Sequence, residues 1–108
     1  TVIIDMSARD CRRAGQWIYS KVQDPYAPMG PCIVTADEIP DPQLLDIRLS
    51  VNGEIRQKAS TAQMIFGVGE IVRYLSRFMV LEPGDVINTG TPAGVALGLP
   101  GTGLEATW

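Results

Sequence analysis

Leu45, Ile47, Leu49 and Val51 alternate with Asp46, Arg48 and Ser50, a period of two that gives a strand one apolar face and one wet face. Asn52-Gly53 follows, the pair favoured where both central residues of a type I′ turn need positive φ, and Glu54-Ile55-Arg56-Gln57 returns. A β-hairpin is predicted. Downstream, Ile65, Val68, Val72, Leu75 and Met79 recur at helical spacing, widened by Ile71 and Phe78. Ser60 or Thr61 offers an N-cap, and Gln63 stands three residues after Ser60 as a capping-box partner. This predicts a helix of about four turns over residues 63–79. Gly67 and Gly69 lie inside it at a cost of about 1 kcal/mol each relative to Ala, and such small residues permit close approach of another backbone.

The remaining pattern is more broken. Val2, Ile3 and Ile4 form a continuous apolar run, as in a strand covered on both faces. A short helix is expected around Asp10 to Ala14, ended by Gly15, with Trp17, Ile18 and Tyr19 as an apolar patch beyond it. The stretch DPYAPMGP holds three prolines and a glycine in eight residues; proline withholds the amide proton, so a rigid loop is expected. Further strands are expected at Cys32–Thr35 and, after a Pro83-Gly84 turn, at Asp85–Asn88. Thr89 to Gly94 reads as a loop dense in Gly and Thr with many free backbone amides, and the last ten residues show no clear periodicity.

Composition narrows the function classes. The chain has 108 residues, 45% hydrophobic and 6% aromatic, with mean hydropathy +0.09, which suits one globular domain or part of a larger one. A net charge of −3, a pI of about 4.7 and scattered basic residues give no footprint for nucleic acid or an anionic membrane, so neither partner is expected. No run approaches the roughly 18 apolar residues of a membrane span, no secretory signal opens the chain, and a cytoplasmic location is expected. Cys11 and Cys32 form no CxxC pair and read as two reduced thiols. The chain begins without Met and already in strand pattern, which leads us to expect that an upstream portion precedes it.

Three polar groupings stand out: Asp5 with Arg9, Lys21 with Asp24, and the Thr89–Gly94 loop. A hard divalent cation takes oxygen ligands, commonly one or two carboxylates with water, and Asp5 at a strand end is a candidate; alone it is read more simply as an Asx turn or a helix cap. Lys21 is either a clamp for an anionic oxygen or a solvated surface charge. The TGTPAG loop is an anion-binding loop or a tight turn, and no Lys-Ser/Thr makes it a P-loop. Histidine is absent, which removes Ser-His-Asp, Cys-His and His-ligated zinc chemistry from this chain.

Taken in order, DMSARD, WIYSK, DPYAPMGPCIVTADEIPDP, VNGEIRQ, STAQMIF, YLSRFMVLEPGDVI and TGTPAGV resemble the C-terminal catalytic domain of the fumarylacetoacetate hydrolase family, from Ile4 to about Val95. The resemblance implies a β-rich α+β fold, a roll of mixed sheets with few helices. Residues 1–108 would then be part of a single catalytic domain whose upstream portion is missing. It implies a Mg²⁺ site, with Mn²⁺ or Ca²⁺ as alternatives, in which Asp5 is one of three carboxylate ligands. Arg9, Lys21 and Thr91 match positions that contact substrate or its departing charge, and Gly90 and Thr91 would hold a substrate carboxylate or carbonyl oxygen through amide and hydroxyl.

The implied function is C–C bond cleavage in a 2-oxo or 1,3-dioxo acid of the acylpyruvate or fumarylpyruvate type through a metal-stabilised enolate. The enzyme would be a homodimer or higher homo-oligomer of aromatic catabolism. Decarboxylation or isomerisation on the same scaffold is the alternative, and a catalytically incomplete structural or assembly module is the rival from another class. Three departures lie near the expected substrate pocket and leave substrate choice open: Arg12 stands where many members carry Gln, Val22-Gln23 where they carry Ser-Phe, and GVALG replaces the usual GVGxG. The family's E-x-E metal ligands and its His-Glu pair for water activation lie upstream of the residues present.

Overall fold

The computed structural model describes residues 1–11 and 15–95. The chain divides into two units, Thr1–Glu38 and Ile39–Trp108.

In the first unit, β1 (Val2–Ile3) pairs antiparallel with β2 (Met29–Gly30), Val2 opposite Gly30 and Ile3 opposite Met29. The Ile4 N–H donates to Pro28 O at 3.1 Å and continues the ladder. The proline-rich stretch therefore holds a strand as well as a loop: its prolines give up no amide here, because Pro28 takes part only through its carbonyl. The expected strand at Cys32–Thr35 is absent, and Ile33 is 74% exposed. A strand needs a ladder neighbour for its N–H and C=O groups, and β1 gives its pairing to Met29–Gly30 instead. Nor is β1 covered on both faces, since Val2 and Ile4 are exposed.

Two 3₁₀ turns, Arg9–Cys11 and Ile18–Ser20, complete this unit's inner part. The first takes the place of the opening of the helix expected around Asp10 to Ala14; residues 12–14, Arg12 included, lie outside the described residues. Ser20, 2% exposed, is the one buried polar side chain among the described residues. Its hydroxyl donates to Trp17 O at 2.8 Å and its carbonyl accepts from the Ala8 N–H at 3.0 Å. This pair of bonds ties the segment after β1 to the turn that carries Lys21.

In the second unit, β3 (Asp46–Val51) and β4 (Glu54–Ser60) form the predicted hairpin. Asn52 and Gly53 take φ of 51° and 84°, the left-handed pair that a type I′ turn requires. Val51 faces Glu54 and Ser50 faces Ile55, but Leu49 faces Gln57. Arg56 is thus the extra residue of a β-bulge. Since residues directly opposite share a face, the bulge moves Gln57 from the wet face, where regular pairing would set it against Arg48, to the face of Leu49, Ile47 and Ala59.

The capping box forms as predicted: Ser60 Oγ accepts from the Ala62 N–H at 3.3 Å and Gln63 Oε1 from the Ser60 N–H at 3.1 Å. It caps only a 3₁₀ turn, Thr61–Gln63, before Met64 returns to extended backbone. The helix α1 is Val68–Leu75, shorter than the predicted 63–79, with Gly67 extended at its N-cap. Gly67 has no side chain to cap with, and the Gln43 amide supplies the bonds: Oε1 accepts from the Val68 N–H at 2.7 Å while Nε2 donates to Thr61 O at 3.0 Å. Of the predicted stripe, Val68, Ile71 and Leu75 are half-buried, whereas Met79 and Phe78 are exposed beyond the helix end.

After α1 the Pro83-Gly84 turn is present, closed by Asp85 N–H to Glu82 O at 3.0 Å. Asp85–Asn88 is not a strand, because no described strand pairs with it. The described residues thus make a small α+β set of two antiparallel sheets and one α-helix. No apolar side chain among them is buried. No helix among them is long and apolar enough to cross a membrane. The expectation for the last ten residues, and the GVALG departure beyond Val95, fall outside the described residues.

Candidate functional site

Asp5 leaves β1 as its last polar outlet: Ile4 still pairs with Pro28, and from Met6 on the chain bends, with the Met6 N–H returning to Ile4 O at 3.0 Å. The carboxylate therefore stands at a strand end. There it meets Lys21, whose Nζ lies 2.6 Å from Asp5 Oδ2 and donates to Ser7 Oγ at 2.6 Å. Ser7 Oγ is 3.5 Å from Asp5 O, a long contact that holds the bend. The chain thus joins two candidates that stand sixteen positions apart, through the Ser20 bonds that fix the turn beside residue 8.

The ion pair is a surface pair, with side chains 30% and 39% exposed. Its chemistry rests on valence. An ammonium has three N–H donors, and Asp5 and Ser7 take two, which leaves one for a ligand oxygen. Among the described residues Asp5 Oδ1 accepts no hydrogen bond and is open to a cation. Arg9, half-buried on its 3₁₀ turn, has no hydrogen bond or ion pair among the described residues, so its planar fork is available to a carboxylate. Asp24 is not drawn to Lys21.

A divalent cation fits Asp5 as one donor of a set. No group of three or more His, Cys, Asp or Glu that could hold a metal occurs among the described residues. Sequence reasoning flagged Asp5 and Lys21 separately and passed over Ser7, which lies between them in the DMSARD motif and binds the lysine.

Gly90 and Thr91 belong to the second unit and line a cleft of about 610 Å³ with Ile47, Ala59 and Met64. Gly90 has φ of 104°, and its N–H is directed to Asn88 Oδ1 at 3.3 Å. The loop is pinned to the bulged strand. Gln57 Nε2 donates to Thr91 Oγ1 and to Pro92 O, each at 2.9 Å. Gly94 (φ 100°) sits so close to the bulge that a Cβ there would collide with the Arg56 carbonyl oxygen. Gln57 is the second residue that sequence reasoning missed; the signal would have been the bulge, which alternation alone does not reveal.

The family model described as Fumarylacetoacetate (FAA) hydrolase C-terminal matches residues 1–107. A Burkholderia ambifaria protein with the provisional name of a hydrolase is 49% identical over 100 residues, covering 91% of this chain and 36% of its own length. Similarly named proteins of Burkholderia multivorans and Burkholderia cenocepacia are each 48% identical over 100 residues with the same coverage. This chain spans only 36% of the length of these curated relatives.

Proposed function

The chain belongs to the fumarylacetoacetate hydrolase family, and from that premise we propose that it forms part of the catalytic domain of a metal-dependent hydrolase acting on a 2-oxo or 1,3-dioxo acid. The fold would be completed as the mixed-sheet β-roll. The enzyme would work in the cytoplasm as a homodimer or larger homo-oligomer. One observation carries the reading: an aspartate at a strand end shares its charge with a lysine that keeps one N–H unspent.

In hydrolysis of an acylpyruvate, water adds to the acyl carbon and the C–C bond breaks. The carboxylic acid leaves, and the electron pair remains on the pyruvate fragment as an enolate until a proton returns to its carbon. A bound Mg²⁺ or Mn²⁺, held in part by Asp5 Oδ1, would supply Lewis acidity toward that charge. Lys21, fixed by Asp5 and Ser7, would donate its remaining N–H to the enolate oxygen, where negative charge develops. Arg9 would grip the substrate carboxylate as a bidentate fork. In the second unit, Gly90 and Thr91 would hold a carboxylate or carbonyl oxygen, the Gly90 amide exchanging its long bond to Asn88 for the ligand.

Decarboxylation or isomerisation is the alternative, since the same cationic groups would stabilise the same enolate. The test is incubation of the full-length protein with acetylpyruvate and, separately, with oxaloacetate, each with Mg²⁺ and then with EDTA. Release of acetate and pyruvate in equal amounts, abolished by EDTA, is expected. Turnover of oxaloacetate alone would favour the decarboxylase, and no EDTA-sensitive turnover of either would refute the reading.

A further inference from the structure

We propose that Gln57 is a positioning residue that sets the direction of the Thr91 hydroxyl proton; this rests on the reading of Thr91 as a substrate contact. The amide sense is fixed by chemistry. Pro92 O is a carbonyl and can only accept, so the group facing it at 2.9 Å has to be Nε2, and the same nitrogen faces Thr91 Oγ1 at 2.9 Å. Both amide protons are thereby used. Thr91 Oγ1 accepts from Gln57, and its own O–H must point elsewhere. A hydroxyl that already accepts one hydrogen bond is a more polarised donor, suited to an anionic oxygen in the cleft that Thr91 lines.

Nothing else among the described residues competes for this proton, and three features converge on the same arrangement. The bulge at Arg56 turns Gln57 onto the cleft face of β4. Gly94 allows the loop to lie against the Arg56 carbonyl. The two Gln57 bonds then lock Thr91 and Pro92 in place. Without the bulge, Gln57 would face away from the cleft.

The experiment compares Gln57→Ala, Gln57→Glu, Thr91→Val and the double variant Gln57→Ala/Thr91→Val in the full-length protein. It reads kcat and KM for acetylpyruvate, the Kd of oxalate by calorimetry in Mg²⁺, and the melting temperature. Gln57→Ala is expected to raise KM and the oxalate Kd about tenfold, as loss of one such bond would do, with kcat within about twofold. Gln57→Glu keeps the size but can only accept, which draws the Thr91 proton back and sets a negative charge beside Pro92 O; it is expected to weaken oxalate binding further than Gln57→Ala does. In the Thr91→Val background, Gln57→Ala should add nothing. Additive losses, or recovery of affinity by Gln57→Glu, would overturn the role of Gln57 while leaving the Thr91 contact standing. Absence of any effect of Thr91→Val on either constant would instead remove the contact itself. Should Gln57→Ala fail to fold, the isosteric Gln57→Glu carries the same comparison.

Discussion

Purified by itself, the 108-residue chain is expected to bind an apolar dye such as ANS, to melt without a cooperative transition, and to elute above its monomer mass. Burial explains why. Ile65 is 91% exposed, Val80 81%, Ile33 74%, Leu44 72% and Phe78 70%, and no apolar side chain is buried among the described residues. Each such side chain would contribute about 1.5–3 kcal/mol if fully buried, against a conformational cost of about 1–2 kcal/mol per ordered backbone residue. A hairpin and an eight-residue helix do not meet that cost without a core. This chain covers 36% of the length of the curated relatives, and a protein of their length is expected to melt cooperatively. A monodisperse monomer of the 108 residues with a sharp melting transition in calorimetry would refute this.

Replacing Lys21 with methionine in the full-length enzyme is expected to lower kcat by a factor of about 10²–10³, the usual loss when one oxyanion-stabilising donor is removed (~2.7–4 kcal/mol). Stability should barely move. The Asp5–Lys21 pair is partly exposed, and exposed pairs contribute about 0–1 kcal/mol. The separation of the two readouts is therefore the informative part: kcat measured in stopped assays falls while the melting temperature holds. A Lys21→Met enzyme that retained more than about a tenth of its kcat would take Lys21 out of the charge-stabilising role, for the loss would then be under ~1.4 kcal/mol.

What the sequence made legible was local. Asn52-Gly53 dictated the hairpin turn because few residue pairs accept two positive φ values, and Ser60 with Gln63 dictated the capping box because both partners lie within one turn. The family resemblance, carried by motif order rather than by any single residue, is matched by the family model over residues 1–107. Illegible features depended on distant partners. Gln43 caps α1 from 25 positions away, so the helix starts at Val68 although the apolar spacing begins at Ile65. Cys32–Thr35 has the composition of a strand, yet β1 pairs with Met29–Gly30. At the site, Asp5 and Lys21 could each be singled out, but their pairing required the Ser20 bonds, and Gln57 required the bulge at Arg56.

The reading of Asp5 as a cation ligand beside a charge-stabilising lysine can be put to one direct measurement. Crystals of the full-length protein grown with Mn²⁺ and oxalate, and measured at the manganese absorption edge, should show an anomalous peak within ~2.2 Å of an Asp5 carboxylate oxygen, with Lys21 Nζ in hydrogen-bond distance of an oxalate oxygen. A structure with manganese and oxalate bound elsewhere, and the Asp5 carboxylate facing solvent, would contradict it.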